Sequence, residues 1–170
     1  MALELYFHPL SSYCWKALIA LYETGVQFEP IQLDLQNPEH DALLRKLWPP
    51  RKFPVLKDTA RDTVVPESTT IVEYLAQHYP GSSTLVPADP DKARQTRLRD
   101  RFFDLYVHNN MQKVVFDIFR PEGSKDPFGV DAARTDMRTA LAAIEPHINA
   151  KPWLMGDDFS LADCAAAPAL

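Results

Sequence analysis

The chain has 170 residues, 46% of them hydrophobic, and a formal net charge of −5. That length serves one medium domain or two small ones, and the composition lies well clear of disorder. An acidic excess without a long Lys/Arg run argues against nucleic acid or an anionic membrane as the main partner, and no apolar run reaches membrane-spanning length.

Met1-Ala2-Leu3-Glu4 leads into a strand rather than into a basic and then apolar signal. Cys14 and Cys164 offer neither a disulfide framework nor metal spacing, so a reducing cytoplasm is the expected compartment. His8, His40, His78, His108 and His147 are scattered without ligand spacing, which predicts surface or hydrogen-bonded core positions and no metal. No Gly-rich phosphate loop is present.

Leu3 to Phe7 alternates and then fills with apolar residues, the pattern of a buried central strand. His8 to Ser12 is a turn. A helix is predicted from Tyr13, with Ala17, Leu18, Leu21 and Tyr22 on one face and Gly25 as its stop. Val26 to Leu33 reads as a second strand. Asn37-Pro38-Glu39 opens a shorter helix through Leu43, Leu44 and Leu47, which Trp48-Pro49-Pro50-Arg51 breaks.

The stretch from Lys52 to Ser68 is the densest in signals. Phe53-Pro54-Val55-Leu56 reads as a turn into a short buried strand, where Pro54 removes a donor and keeps Phe53 out of helical geometry. Lys57-Asp58 begins a polar tip, Thr63-Val64-Val65 returns, and Pro66-Glu67-Ser68 ends the hairpin. Ser68 is the candidate N-cap of a helix carrying Ile71, Val72 and Leu75, and such a helix start suits a carboxylate. The order so far is βαβα-ββα.

Pro80 to Pro90 is a linker, after which the strands stop. Ala93 to Phe119 keeps a helical apolar period over many turns and predicts one long helix. Pro121 to Pro127 is a loop, and Met137, Leu141, Ile144 and Ile148 mark a further helix ending near Asn149. Ser160-x-x-Asp163 before an Ala-rich run is a capping box, with Phe159 placed as a hydrophobic staple facing Cys164. Its role is structural.

The Pro54 hairpin, the Glu67-Ser68 helix start, the long helix after a linker and the run Gly156-x-x-x-Ser160-x-Ala162-Asp163 together resemble the cytosolic glutathione transferases, from Leu3 to the end of the chain. The resemblance implies an α/β plus all-α fold: a thioredoxin-like glutathione-binding domain over residues 1–80, a linker over 81–90 and an all-helical domain over 91–170. Family members usually continue for one or two more helices, so the pocket for the second substrate is expected to be incompletely represented.

The same resemblance implies roles. Ser11-Ser12-Tyr13-Cys14 is similar to the serine-type loop of zeta- and delta-like transferases, which makes Ser11 the group that stabilises the glutathione thiolate and Ser12 the reserve. A free thiol with a pKa of about 8.5 is mostly protonated at neutral pH, and a hydroxyl at a helix N-terminus favours the anion. One serine is expected only to cap the helix, Ser12 rather than Ser11. Tyr6 reads as packing, and Tyr13 is a minor alternative donor. With serine where a glutaredoxin-like domain has the first cysteine of Cys-x-x-Cys, conjugation or isomerisation is expected rather than disulfide reduction. Cys14 is expected to be packed and unreactive.

For the tripeptide itself, the resemblance implies that Pro54 in the cis form shapes the site and that the Val55 backbone pairs with the cysteinyl part. By the same resemblance Ser68 is expected to hold the γ-glutamyl carboxylate, Glu67 to face the ammonium, and Lys52 to meet the glycine carboxylate. Trp48 and Arg51 replace the Asn and Gly of the family's Asn-Pro-x-Gly-Lys pattern, so Arg51 is a competitor for that carboxylate. Tyr106, Phe102 and Phe103 divide between the electrophile cleft and the core, and Arg97, Arg99 and Arg101 read as a solvated or subunit-facing surface. The implied partners are glutathione, a hydrophobic electrophile and a second copy of the chain. Glutathione conjugation leads, with a maleylacetoacetate-type isomerase or a non-catalytic binding or regulatory protein as alternatives.

Overall fold

The computed structural model describes residues 2–148 and 151–170. Strand β1 (Leu3–Phe7) lies inside a four-stranded sheet of order β2-β1-β3-β4, parallel to β2 (Phe28–Gln32) and antiparallel to β3 (Val55–Asp58). β3 turns back into β4 (Thr63–Pro66). The register explains the near-continuous apolar run of β1. Leu5 stands opposite Leu56 and Tyr6 opposite Val55, so successive side chains fall on opposite faces and both faces are covered.

Helices α1 (Ser12–Thr24) and α3 (Ser68–His78) cover the first face, burying Leu5, Leu18, Leu21, Leu56, Ile71 and Leu75. α2 (Pro38–Leu47) covers the second, where Leu44 meets Tyr6, Leu33 and Val55. Each fully buried leucine contributes about 1.5–3 kcal/mol. α1 ends where expected, at Gly25, whose φ of 71° is the left-handed conformation that a residue with a Cβ adopts reluctantly. This is a thioredoxin-like unit.

Asp58 closes the far end of the hairpin in a way the sequence pattern did not announce. Its buried carboxylate accepts from the hydroxyls of Tyr74 at 2.8 Å and Tyr79 at 2.5 Å and from the N–H groups of Ala60 and Arg61. Burial alone would raise its pKa; the two tyrosines and the backbone donors outweigh burial and hold it below the usual carboxylate range.

The linker leaves α3 and passes over the end of α1. Gly81 comes so close to the Thr24 carbonyl that a Cβ would sit 1.9 Å from its oxygen. Ser82 and Ser83 donate to the Glu23 carbonyl at 2.7 and 3.1 Å. The predicted long helix follows as α4 (Pro90–Phe102), a π-helical turn (Phe103–His108) and α5 (Asn109–Ile118), running on without a break. The π turn, closed by the Asn109 N–H on the Asp104 carbonyl, is the feature that periodicity missed.

α6 (Pro127–Ile144) starts well before Met137, the first residue of the expected apolar series. Asp126 caps it by accepting from the Gly129 N–H, and its first turns face solvent, so they carry no apolar period. The helix ends at Ile144 in a 3₁₀ turn (Glu145–His147), and the expected end near Asn149 lies outside the described residues.

α7 (Leu161–Ala166) is buried all round and ties the two halves together. Leu161 and Cys164 join the core above the sheet, while Ala165 and Ala166 join Phe103, Val107, Ala140 and Ile144. The capping box is formed. The Asp163 carboxylate accepts from the Ser160 N–H at 2.9 Å, the Ser160 hydroxyl at 3.0 Å and the Leu154 N–H at 2.7 Å. Phe159 packs against the core that contains Cys164. No helix among the described residues is long and apolar enough to cross a membrane.

Replacing Ser160 with Ala is expected to cost about 0.5–2 kcal/mol of stability, and Asp163→Ala more, because it strips three donors, two of them buried, of their acceptor. Chemical denaturation of the two variants checks this. Unchanged midpoints would remove α7 as the joint between the halves.

Candidate functional site

Sheet register decides which loops meet. β1 ends at Phe7, one residue beyond Tyr6, which pairs with Val55, the first residue of β3; Val55 pairs on its other side with Pro66, the last residue of β4. Three chain segments therefore share one sheet edge: the loop His8–Ser11, the Phe53–Pro54 approach to β3, and Glu67-Ser68 at the start of α3. The Phe53–Pro54 peptide is cis, and the His8 ring stacks on Phe53 with centroids 5.5 Å apart. The N-termini of α1 and α3 both open onto this edge.

The loop before α1 is locked by its own hydrogen bonds. Ser11 N–H donates to the His8 carbonyl, Leu10 N–H to His8 Nδ1 at 3.2 Å, and Trp15 Nε1 to the Pro9 carbonyl at 2.8 Å. Ser11, not Ser12, is the N-cap: its Oγ accepts from the Cys14 N–H at 3.3 Å. Ser12 is the first helical residue, so the expectation that Ser12 would be the capping serine is corrected. Capping does not consume Ser11. It engages a lone pair, and the hydroxyl proton stays available to a further acceptor.

Glu67 and Ser68 also exchange the roles expected at α3. Glu67 stands at the cap position with φ 70° and ψ 126°, and no side chain caps the helix. Ser68 is helical and buried. A non-glycine residue held at positive φ costs on the order of 1–3 kcal/mol. It falls at the exit from β4, and among the described residues no side chain caps the first N–H groups of α3. Arg51 also departs from expectation, because its guanidinium is paired with Asp41 on α2. Lys52 is exposed and, among the described residues, has no carboxylate within ion-pair distance.

Tyr6 is buried packing, its hydroxyl on Glu4 at 2.8 Å. Tyr13 reaches away from the loop to the Asp104 carbonyl and Asn109, each at 3.1 Å, and burial pushes its pKa up to about 12. Phe103 belongs to the core, while Tyr106 is exposed. Arg97 is paired with Glu73 at 2.6 Å.

What the sequence reading missed is a buried charge cluster behind the site. Lys16, fully buried, places Nζ 2.5 Å from Asp100 and 2.7 Å from Asp104. Burial pushes the Asp100 carboxyl up despite Lys16; for Asp104 burial is outweighed by His108 and Lys16, and its pKa is held down. His108 is buried and, among the described residues, has no hydrogen-bond partner on either ring nitrogen, Nδ1 lying 3.6 Å from Asp104 Oδ1. It is neither a surface residue nor a satisfied core histidine. The available signal was a lysine among alanines and leucines on the apolar face of a helix.

A thioredoxin-like sheet with its loops gathered at one edge, joined to a helical half, defines the class of protein. The Glutathione S-transferase, N-terminal domain family matches residues 5–83, and the Glutathione S-transferase, C-terminal domain family matches residues 107–170. A stringent starvation protein A homolog of Coxiella burnetii is 30% identical over 168 residues, covering 99% of this chain and 74% of that protein. Glutathione S-transferase U19 of Arabidopsis thaliana is 30% identical over 156 residues, covering 91% and 66%. The structure of a glutathione S-transferase from Methylobacterium radiotolerans, in complex with glutathione sulfonate, superposes with a TM-score of 0.85 at 27% identity, covering 98% and 76%. The chain belongs to the glutathione S-transferase family.

Cys14 lies beside this site and is buried, with the His8 N–H 3.4 Å from its sulfur. Burial, only partly offset by the His8 and Ser11 contacts, pushes its thiol up to about 11. At neutral pH it is therefore expected to react with iodoacetamide more than about a hundredfold slower than free cysteine. Rapid single-site alkylation at Cys14, read by mass spectrometry, would make it a reactive thiol instead.

Proposed function

We propose that the chain binds glutathione along the sheet edge and holds its sulfur as a thiolate for addition to an apolar electrophile. The observation that carries this reading is the state of Ser11: its oxygen accepts from the Cys14 N–H, and its proton is left over at the N-terminus of α1. A sulfur anion there gains one O–H donor and the favourable end of the helix dipole. A serine without a base is a poor nucleophile, so the hydroxyl serves as donor and the chemistry stays on the glutathione sulfur.

In this reading Pro54 shapes the approach to the site; Val55, expected to pair with the cysteinyl part as an added strand does, is already paired with Tyr6 and Pro66 on its two sides and serves to place the cis-Pro54 turn before it. Ser68 and the uncapped N–H groups of α3 take the γ-glutamyl carboxylate, Glu67 takes the ammonium, and Lys52 takes the glycine carboxylate. Ser12 borders a recess of about 370 Å³ with Pro9, Leu10, Trp15, Ile19 and Pro168, and this apolar lining favours a hydrophobic second substrate. The reading includes a cytoplasmic homodimer, supported by Leu98 and Leu105, which stand exposed on the long helix.

A second reading is a glutathione-binding protein without turnover. It is favoured by the relative named for stringent starvation rather than for a transfer reaction. Retention on immobilised glutathione followed by a conjugation assay with an aryl halide separates the two: binding with turnover supports the first, binding alone the second.

Ser11→Ala is expected to raise the pKa of bound glutathione and slow turnover at least about tenfold, one pKa unit corresponding to that factor. Glu67→Ala and Ser68→Ala are expected to weaken glutathione binding by about 1.5–3 kcal/mol each without unfolding the protein. Ultraviolet thiolate absorbance across pH and calorimetric titration read these effects. Wild-type values in all three variants would remove the site.

A further inference from the structure

Lysine is almost never sealed from water unless paired, and the Lys16 side chain is fully buried. Its ammonium has three protons and three acceptors: Asp100 at 2.5 Å, Asp104 at 2.7 Å and Thr69 Oγ at 2.7 Å. Those acceptors sit on different elements. Asp100 belongs to α4, Asp104 to the π turn, and Thr69 to the first turn of α3, directly after Ser68. Thr69 in turn places its hydroxyl 3.1 Å from Asp100.

Lys16 itself lies in the second turn of α1, the helix that Ser11 caps. A second grip comes from Tyr13 in the same helix, whose hydroxyl donates to the Asp104 carbonyl at 3.1 Å. That carbonyl also receives the Asn109 N–H that closes the π turn. The widened turn brings Asp104 and His108 together against α1.

One buried ammonium thus ties together the two helix starts that border the sheet edge. A buried ion group of this kind is a poor stabiliser, since apolar replacement of the whole group is often neutral or better. What it does supply is direction, because each of its bonds fixes a distance and an angle.

We propose that Lys16 is a positioning residue for glutathione, setting the spacing between Ser11 and Ser68 so that a tripeptide held at α3 presents its sulfur to the Ser11 hydroxyl. This rests on the function proposed above. The ammonium touches no substrate and acts through α1 and α3.

The test uses the whole chain and two kinds of variant. Lys16→Met combined with Asp100→Asn and Asp104→Asn removes the charges together, so that no carboxylate is left buried and unpaired. Thr69→Val keeps the Lys16–Asp pairs and cuts only the tether to α3. Wild type is measured first: if its bound glutathione shows no lowered thiol pKa, the functional reading fails whatever Lys16 does. Given a lowered wild-type value, the triple variant is expected to melt near wild type, to bind glutathione at least about tenfold more weakly and to raise the bound thiol pKa by about one unit.

Thr69→Val is expected to show the affinity loss at several-fold with its melting temperature unchanged, and Lys16→Arg, which keeps the cation, to recover most of the thiol shift. Wild-type affinity and thiol pKa in a folded triple variant overturn the proposal. Where that variant does not fold, wild-type affinity in Thr69→Val overturns it, and a loss there supports it.

Discussion

A charge withdrawn from water has to be met by partners in fixed directions, and the Lys16 ammonium meets this demand with Asp100, Asp104 and Thr69. Those partners come from α4, the π turn and α3, so the helix that starts at the candidate site cannot move independently of the others. Apolar contacts hold the same halves together through α7, where Leu161 and Cys164 face one core and Ala165 and Ala166 the other. The two kinds of contact divide the work. Burial supplies most of the free energy without preferring an orientation, and the ion cluster prefers an orientation while supplying little free energy.

On this frame the sheet edge is built from small local constraints rather than from a dedicated subdomain. The loop before α1 uses its own carbonyls and ring nitrogen to satisfy Ser11, Leu10 and Trp15, and so presents a fixed serine. Opposite it, Glu67 is held at positive φ, a conformation that persists only where the surroundings impose it. The helix start behind it carries no side-chain cap among the described residues. Cys14, one turn into α1, is kept protonated by burial, which leaves the chemistry of any sulfur anion to a bound molecule.

The family relation places the chain among proteins with more than one kind of name, since a stringent starvation protein homolog and a plant transferase match it at the same identity. The fold is common to both. Activity therefore has to be argued from side chains at the edge, where Ser11, Glu67 and Ser68 are the groups with chemistry to offer.

The order of elements was legible because each depends on near neighbours in the chain. Gly25 stops α1, Pro54 marks the entry to β3, Ser160 and Asp163 cap α7, and the apolar period of the long helix repeats every few residues. The residues of the candidate site were legible for the same reason, being tied to turns and helix starts. Their exact parts were not. Which serine caps α1, and that Glu67 rather than Ser68 takes the cap position, depends on how the backbone leaves the sheet, a matter of a single residue's φ and ψ. The start of α6 escaped because its first turns are solvated and carry no period. The Lys16 cluster was hidden most completely. A lysine in a helix reads as surface until a carboxylate some 84 positions later in the chain is folded against it, and Coulomb attraction acts on distance in space, which only the tertiary structure decides.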